Sequence, residues 1–118
     1  MPETLAFYGQ AFGFPTRFLH ESLQNGELDT RATTLVFASL AMGEMHFGAG
    51  YTQLSPDAAP PGVELAFVSD DVTAAYAKAI AAGALPLQML EAKPWGQTVA
   101  YGRAQEGTLI ELCSPISE

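Results

Sequence analysis

The chain has 118 residues, which suits one domain, and 48% of them are hydrophobic, which excludes disorder over most of its length. Its net charge of −8 argues against nucleic acid or an anionic membrane surface as a partner. A single cysteine and the absence of both an apolar membrane-length run and a secretory leader pattern predict a cytoplasmic protein without internal disulfides.

The first half of the chain carries one helical pattern followed by extended patterns. A helix is predicted over residues 2–12, because Leu5, Tyr8 and Phe12 recur at helical spacing and Gly13 is a typical stop. Strands are predicted at residues 15–22, 31–39 and 44–47, with turns at Asn25-Gly26 and Met42-Gly43.

The second half follows a Pro- and Gly-rich loop and carries more elements. A helix is predicted over residues 72–82, between a cap at Ser69-Asp70-Asp71 and a stop at Gly83. Pro86 indicates that the strand after this helix lies at a sheet edge. Strands are predicted at residues 63–68, 85–90, 98–103 and 108–113.

Element order repeats between the two halves, although few residues are identical. Residues 63–118 form a complete βαβββ module, and residues 51–62 form a linker. Residues 1–50 form the same module without its opening strand. The predicted fold class is therefore α+β, built from paired βαβββ modules.

Several short motifs occur in a specific order along nearly the whole chain. They are Phe7-Tyr8, Phe12-Gly13-Phe14, Val63-Glu64-Leu65-Ala66-Phe67 with Asp71-Val72, Ala81-Ala82-Gly83-Ala84, Pro94-Trp95-Gly96-Gln97 and Gly107-Thr108-Leu109-Ile110-Glu111-Leu112. In this order they resemble the vicinal oxygen chelate superfamily, which includes glyoxalase I, bleomycin-resistance proteins, fosfomycin-resistance thiol transferases and extradiol dioxygenases. The resemblance implies a half-open mixed barrel around a cavity.

Two features depart from that family. The opening strand, which commonly supplies the first metal ligand, is missing, and a partner chain or a truncated start would each account for this. The family's Asp-Pro-Asp-Gly turn before the last strand is Ala104-Gln105-Glu106-Gly107 here, so only its glycine is kept.

The resemblance also implies candidate metal ligands. Glu64 and Glu111 match two of the family's ligand positions, and together they could hold a divalent cation, with Glu111 as the catalytic carboxylate. The alternative is that both glutamates are solvated or hydrogen-bonded at a cavity mouth.

The other candidates are ligand-binding residues. Trp95 lies on a turn where the family's bleomycin-resistance members border a ligand cleft, and its ring could stack on a flat ligand. Arg103 could pair with Glu111 or an anionic ligand, or could be a solvated hairpin residue. Tyr101, Phe67 and His46 could line the site, or could be ordinary core or structural residues.

These observations leave functions of different classes open. The first is a metal-free protein that binds a small molecule, for which an acidic cavity suits a cationic ligand. The second is a divalent-metal-dependent lyase or thiol transferase of the glyoxalase type. The third is a scaffold with no small-molecule role. A homodimer is expected as well, because an uncovered sheet edge favours pairing with another chain.

Overall fold

The computed structural model describes residues 1–31 and 33–116, and it divides into two compact units, Met1–Gln53 and Leu54–Glu118. The elements are α1 (Pro2–Phe12), β1 (Thr16–Leu19), β2 (Asn25–Thr30), β3 (Thr33–Ala38), α2 (Leu40–Phe47), β4 (Glu64–Val68), α3 (Val72–Ala82), β5 (Leu85–Ala92), β6 (Thr98–Arg103) and β7 (Leu109–Cys113). The predicted α+β class and the order of the paired modules are confirmed.

The first unit packs helix α1 against an antiparallel sheet with strand order β1-β2-β3. Its core is aromatic: the Tyr8 ring lies 4.8 Å from the ring of Phe37 and 5.4 Å from that of Phe7. Gly13 ends α1 in the left-handed conformation, as predicted, and its N–H donates to the Gly9 carbonyl at 3.0 Å.

Strand β2 was not predicted from the sequence, which placed a turn at Asn25-Gly26 and the next strand only from Arg31. The prediction that Asn25-Gly26 forms the hairpin turn was wrong, because both residues lie in β2 and the turn occupies residues 20–24. A side chain at position 26 would bring its Cβ within 2.6 Å of Leu5 Cδ1, so this glycine allows close packing against α1. The predicted strand start at Arg31 was also wrong, since Arg31 takes a positive φ of 73° between β2 and β3; Ala32, which the same prediction included, lies outside the described residues.

The predicted strand at residues 44–47 was wrong as well, because these residues form the end of helix α2. The Ser39 hydroxyl caps that helix by accepting a hydrogen bond from the Met42 N–H at 3.2 Å. Gly43 is a packing position inside the helix, since a Cβ there would lie 3.0 Å from Tyr51 Cζ. Ser39 is a typical helix cap, but the sequence analysis interpreted Gly43 as a turn residue.

The second unit contains the complete βαβββ order. Its sheet runs β4-β7-β6-β5, with β4 parallel to β7 and the other pairs antiparallel. Helix α3 packs on β5, β6 and β7; the Asp71 carboxylate caps it through the Ala74 N–H at 3.0 Å, and Gly83 ends it. Strand β5 lies at the edge, as Pro86 predicted.

None of the helices in the described ranges is long and apolar enough to cross a membrane.

The turn between β6 and β7 is held against residues 55–58. The Arg103 guanidinium donates to the carbonyls of Gly107 (2.9 and 2.7 Å), Ala58 (2.8 Å) and Ser55 (2.8 Å). Gly107 takes a φ of +109°, and a Cβ there would lie 2.8 Å from the Ser55 backbone. The turn therefore needs glycine both for its conformation and for the close approach of this segment.

We expect Gly107→Ala to lower the free energy of unfolding by about 2 kcal/mol or more, because it combines backbone strain with a clash against backbone atoms. Gly62→Ala is the matched control, since a Cβ there meets nothing within 4 Å. Urea unfolding of both variants measures the difference. Equal stability of the two would contradict the packing described for Gly107.

Candidate functional site

Strand β7 brings the acidic candidates of the second unit onto one face of its sheet. Tyr101 on β6 and Ala66 on β4 both lie opposite Glu111, one on each side of it. Glu64 precedes Ala66 by two residues, so its side chain is on the same face. The register thus makes Glu64, Tyr101 and Glu111 neighbours, and this group is called the acidic cluster below.

The other face of the sheet is apolar and explains why this register forms. Ile110 and Leu112 on β7 are buried, and so is Ala100 opposite Leu112. A shift of one residue would bury Glu111 and expose both apolar neighbours. The hydrophobic pattern of β7 therefore fixes the position of its carboxylate.

Partial burial and like charge perturb the acidic cluster. The pKa of Glu111 is raised, first by desolvation and then by the Glu64 carboxylate, while the Lys93 ammonium acts in the opposite direction. The pKa of Tyr101 is raised, first by desolvation and then by the Glu111 and Glu64 carboxylates. At neutral pH this face therefore favours an added positive charge or a proton.

Cys113 extends the same face of β7. Its thiol is buried, and its pKa is raised by desolvation and then by Glu111 and Glu64. A raised thiol pKa disfavours the nucleophilic thiolate. Cys113 is thus a weakly reactive neighbour of the cluster.

The turn between β5 and β6 holds Trp95 in an exposed position. The indole N–H donates to Gln97 Oε1 at 2.7 Å, and Gln97 Nε2 donates to the Ser114 carbonyl at 2.9 Å. The Trp95 side chain is nevertheless 59% exposed, so its ring is available for stacking on a ligand. Lys93, on the same turn, acts on the pKa of Glu111 and forms an ion pair with Glu91 at 3.3 Å.

The remaining candidates lie elsewhere. Arg103 is 2% exposed and donates to backbone carbonyls, so the idea of a solvated arginine was wrong, and its contacts favour a structural role. Phe67 lies opposite Leu112, on the face of β4 away from Glu64. His46 belongs to the first unit, in the last turn of α2, where its ring lies 6.0 Å from that of Phe47.

The donor set of the cluster is a poor match for a metal ion. In the part of the chain that the structure describes, no group of three His, Cys, Asp or Glu side chains is arranged to hold one. Glu64 and Glu111 supply carboxylate oxygens from two side chains. The described residues therefore do not form a complete site for a divalent cation.

Sequence reasoning missed Lys93 as part of this electrostatic arrangement. The influence of Lys93 on Glu111 depends on the path of β5. That strand pairs with β6 through two register shifts, between Pro86 and Gln88 and between Gln88 and Glu91. Bulges of this kind have no reliable sequence signal beyond the proline.

Folding raises the pKa of Glu111, so the folded state binds its proton more readily than the unfolded state does. This contribution to stability is present at low pH and is lost as the pH rises through the folded-state pKa. We therefore expect Glu111→Gln to unfold at a higher temperature than the wild type at pH 7, with a smaller difference at acidic pH. Calorimetry across pH measures this, with Glu21→Gln in the exposed turn before β2 as the control. A difference that does not change with pH would contradict the assigned pKa direction.

Comparison with known proteins identifies the family to which the chain belongs. The model of the Glyoxalase/Bleomycin resistance protein/Dioxygenase superfamily matches residues 1–112. A glyoxalase-related enzyme from Fulvimarina pelagi is 19% identical, with a TM-score of 0.82 over 98% of this chain and 80% of that one. A family enzyme from Burkholderia phytofirmans PsJN is 23% identical, with a TM-score of 0.77 over 96% of this chain and 88% of that one. TioX from Micromonospora sp. ML1 is 22% identical, with a TM-score of 0.66 over 99% of this chain and 89% of that one.

No curated protein sequence matches the chain. At these identities the solved structures show a shared fold, and the family model covers nearly all of the sequence. The chain belongs to the Glyoxalase/Bleomycin resistance protein/Dioxygenase superfamily.

Proposed function

We propose that the second unit binds a small cationic molecule at the acidic cluster without a metal ion. The observation that carries this proposal is the placement of Glu64, Tyr101 and Glu111 as neighbours on one sheet face. The pKa of Glu111 is raised by desolvation and then by the Glu64 carboxylate, and a ligand cation there would offset the repulsion between the two carboxylates. The net charge of −8 would also attract a cation from a distance.

Residues of the cluster, together with Trp95 on the turn that carries Lys93, narrow the ligand class. The exposed indole of Trp95 offers a flat surface for stacking or a cation–π contact. Tyr101 and the two carboxylates supply directional hydrogen-bond partners. A flat aromatic ring that bears a positive charge fits this combination.

A divalent-metal-dependent lyase or thiol transferase is the competing function. It would need at least one metal ligand besides the two carboxylates, because the described residues supply no group of three. The acidic cluster can bind a cationic ligand without a further residue. We therefore favour binding over metal catalysis.

Titration with N-methylacridinium tests this proposal, because Trp95 is the chain's single tryptophan and its quenching reports local binding. We expect Glu64→Gln and Glu111→Gln each to weaken binding about fivefold or more, which corresponds to about 1 kcal/mol. Glu21→Gln, which removes the same charge from an exposed turn, should change affinity less than about twofold. Neutral acridine should bind more weakly than its N-methylated form.

Acidification should weaken the same interaction. Because the pKa of Glu111 is raised, this carboxylate loses its charge at a higher pH than an ordinary one. N-methylacridinium affinity should fall as the pH passes through that value, and the affinity of Glu111→Gln should change less. Affinity that is equal in the wild type and both cluster variants at pH 7 would overturn the proposal.

Elemental analysis distinguishes metal-free binding from the metal-dependent enzyme. The protein is purified without a chelator and without a histidine tag, alongside both cluster variants. Near-stoichiometric nickel, zinc, manganese or iron that disappears in Glu64→Gln and Glu111→Gln would replace metal-free binding with the metal-dependent enzyme. Wild type and variants with equal trace metal would support the proposal.

A further inference from the structure

The turn between β5 and β6 fixes the backbone at Trp95. The Gly96 N–H donates to the Lys93 carbonyl at 3.0 Å, which closes a β-turn with Pro94 and Trp95 as its central residues. Gly96 takes a φ of +92°, and the Lys93 N–H donates to the Gln97 carbonyl at 2.7 Å. Proline restricts the first central position, and glycine adopts the left-handed one without strain. The Cα–Cβ bond of Trp95 therefore has a fixed direction, and only the side-chain torsions remain to be set.

The Gln97 side chain then restrains the indole ring. Gln97 Oε1 accepts the indole N–H of Trp95 at 2.7 Å, and Gln97 Nε2 donates to the Ser114 carbonyl at 2.9 Å. Because an indole N–H can only donate and a carbonyl can only accept, these two partners allow one orientation of the amide group. With the amide turned end for end, Gln97 would lose both hydrogen bonds. The ring is thus held by a directional contact, although Trp95 is 59% exposed.

The partner of Gln97 extends the strand that carries Glu111. Ser114 follows β7 directly and continues its pairing with β6, since the Thr98 N–H donates to Ser114 Oγ at 2.9 Å and the Ser114 N–H donates to the Thr98 carbonyl at 3.0 Å. Ser114 lies three residues beyond Glu111, which is about 10 Å along an extended strand. Gln97 therefore ties the indole to the same backbone that positions the Glu111 carboxylate.

We propose that Gln97 is a positioning residue, which holds the Trp95 indole in the orientation in which it stacks on the cationic aromatic ligand. This inference rests on the proposed function, since it concerns the same ligand. Exposed side chains change rotamer within picoseconds to nanoseconds, and fixing one on binding costs free energy. The hydrogen bond to Gln97 fixes the indole before the ligand arrives. It also occupies the indole N–H, so Trp95 offers the ligand a ring face rather than a hydrogen-bond donor.

A double-mutant cycle separates positioning from a structural role, with N-methylacridinium as the probe and its own fluorescence as the signal. We expect Gln97→Met, which is similar in size but forms neither hydrogen bond, to weaken binding about threefold to tenfold. In a Trp95→Phe background the same substitution should change affinity less than about twofold, because phenylalanine has no ring N–H to hold. Gln53→Met, at an exposed glutamine of the first unit, is the matched control and should leave the affinity unchanged.

A measurement without ligand tests the same restraint. Trp95 is the chain's single tryptophan, so time-resolved fluorescence anisotropy reports the motion of its ring alone. We expect little subnanosecond motion of the indole in the wild type, despite its exposure, and a larger amplitude in Gln97→Met. This readout does not depend on ligand binding, and the wild-type measurement stays valid even if Gln97→Met is poorly folded.

Failure of this inference and failure of the proposed function give different results. Equal weakening by Gln97→Met in both backgrounds, or no weakening in either, would overturn the positioning role while the effects of Glu64→Gln and Glu111→Gln remain. Fast motion of large amplitude for the wild-type indole would overturn it as well. A wild type that binds no N-methylacridinium, or binds it no more tightly than both cluster variants do, would overturn the proposed function and, with it, the role of Gln97 toward this ligand.

Discussion

The parallel pairing of β4 with β7 is the constraint on which the candidate site depends. Without it, Glu64 and Glu111 would be two carboxylates far apart in sequence with no reason to interact. The pairing aligns Ala66 with Glu111 and so places Glu64 two residues away on the same face. The apolar residues on the opposite face of β7 then prevent a shift in register, so the same hydrophobic pattern that builds the core also positions the acidic cluster.

At neutral pH the ionised Glu111 side chain lowers the stability of the fold. Desolvation and the Glu64 carboxylate both oppose the ionised form of Glu111, and Lys93 opposes this effect only in part. Carboxylates with perturbed pKa values are found disproportionately at functional sites. Around the cluster, the contacts are well satisfied: Arg103 and Gly107 fix the neighbouring turn, and Gln97 fixes Trp95. Electrostatic repulsion is thus concentrated at the acidic cluster, while hydrogen bonds hold the neighbouring turns.

The sequence predicted the elements whose ends carry strong local signals. Both ends of helix α3 were predicted correctly, because Asp71 caps it and Gly83 stops it. The alternation of β4 also correctly placed Glu64 and Phe67 on different faces of that strand. It failed where a glycine serves tertiary packing, since Gly26 and Gly43 accommodate Leu5 and Tyr51 rather than forming turns. It also missed the role of Arg103, because two of the carbonyls that receive its hydrogen bonds, those of Ala58 and Ser55, are 45 and 48 residues away in sequence.

The two units share the order of a helix followed by three strands, but their side-chain charges differ. The position of Glu111 in β7 corresponds to Val36 in β3, and the position of Tyr101 in β6 corresponds to Glu27 in β2, which forms an ion pair with Arg17 at 2.8 Å. In the first unit the carboxylate is therefore neutralised within the sheet. In the second unit the Glu64 and Glu111 carboxylates repel each other, and the Lys93 ammonium offsets this repulsion only in part. Since the backbone pairing is shared and the side-chain charges are not, a ligand that seeks uncompensated negative charge should select the second unit over the first.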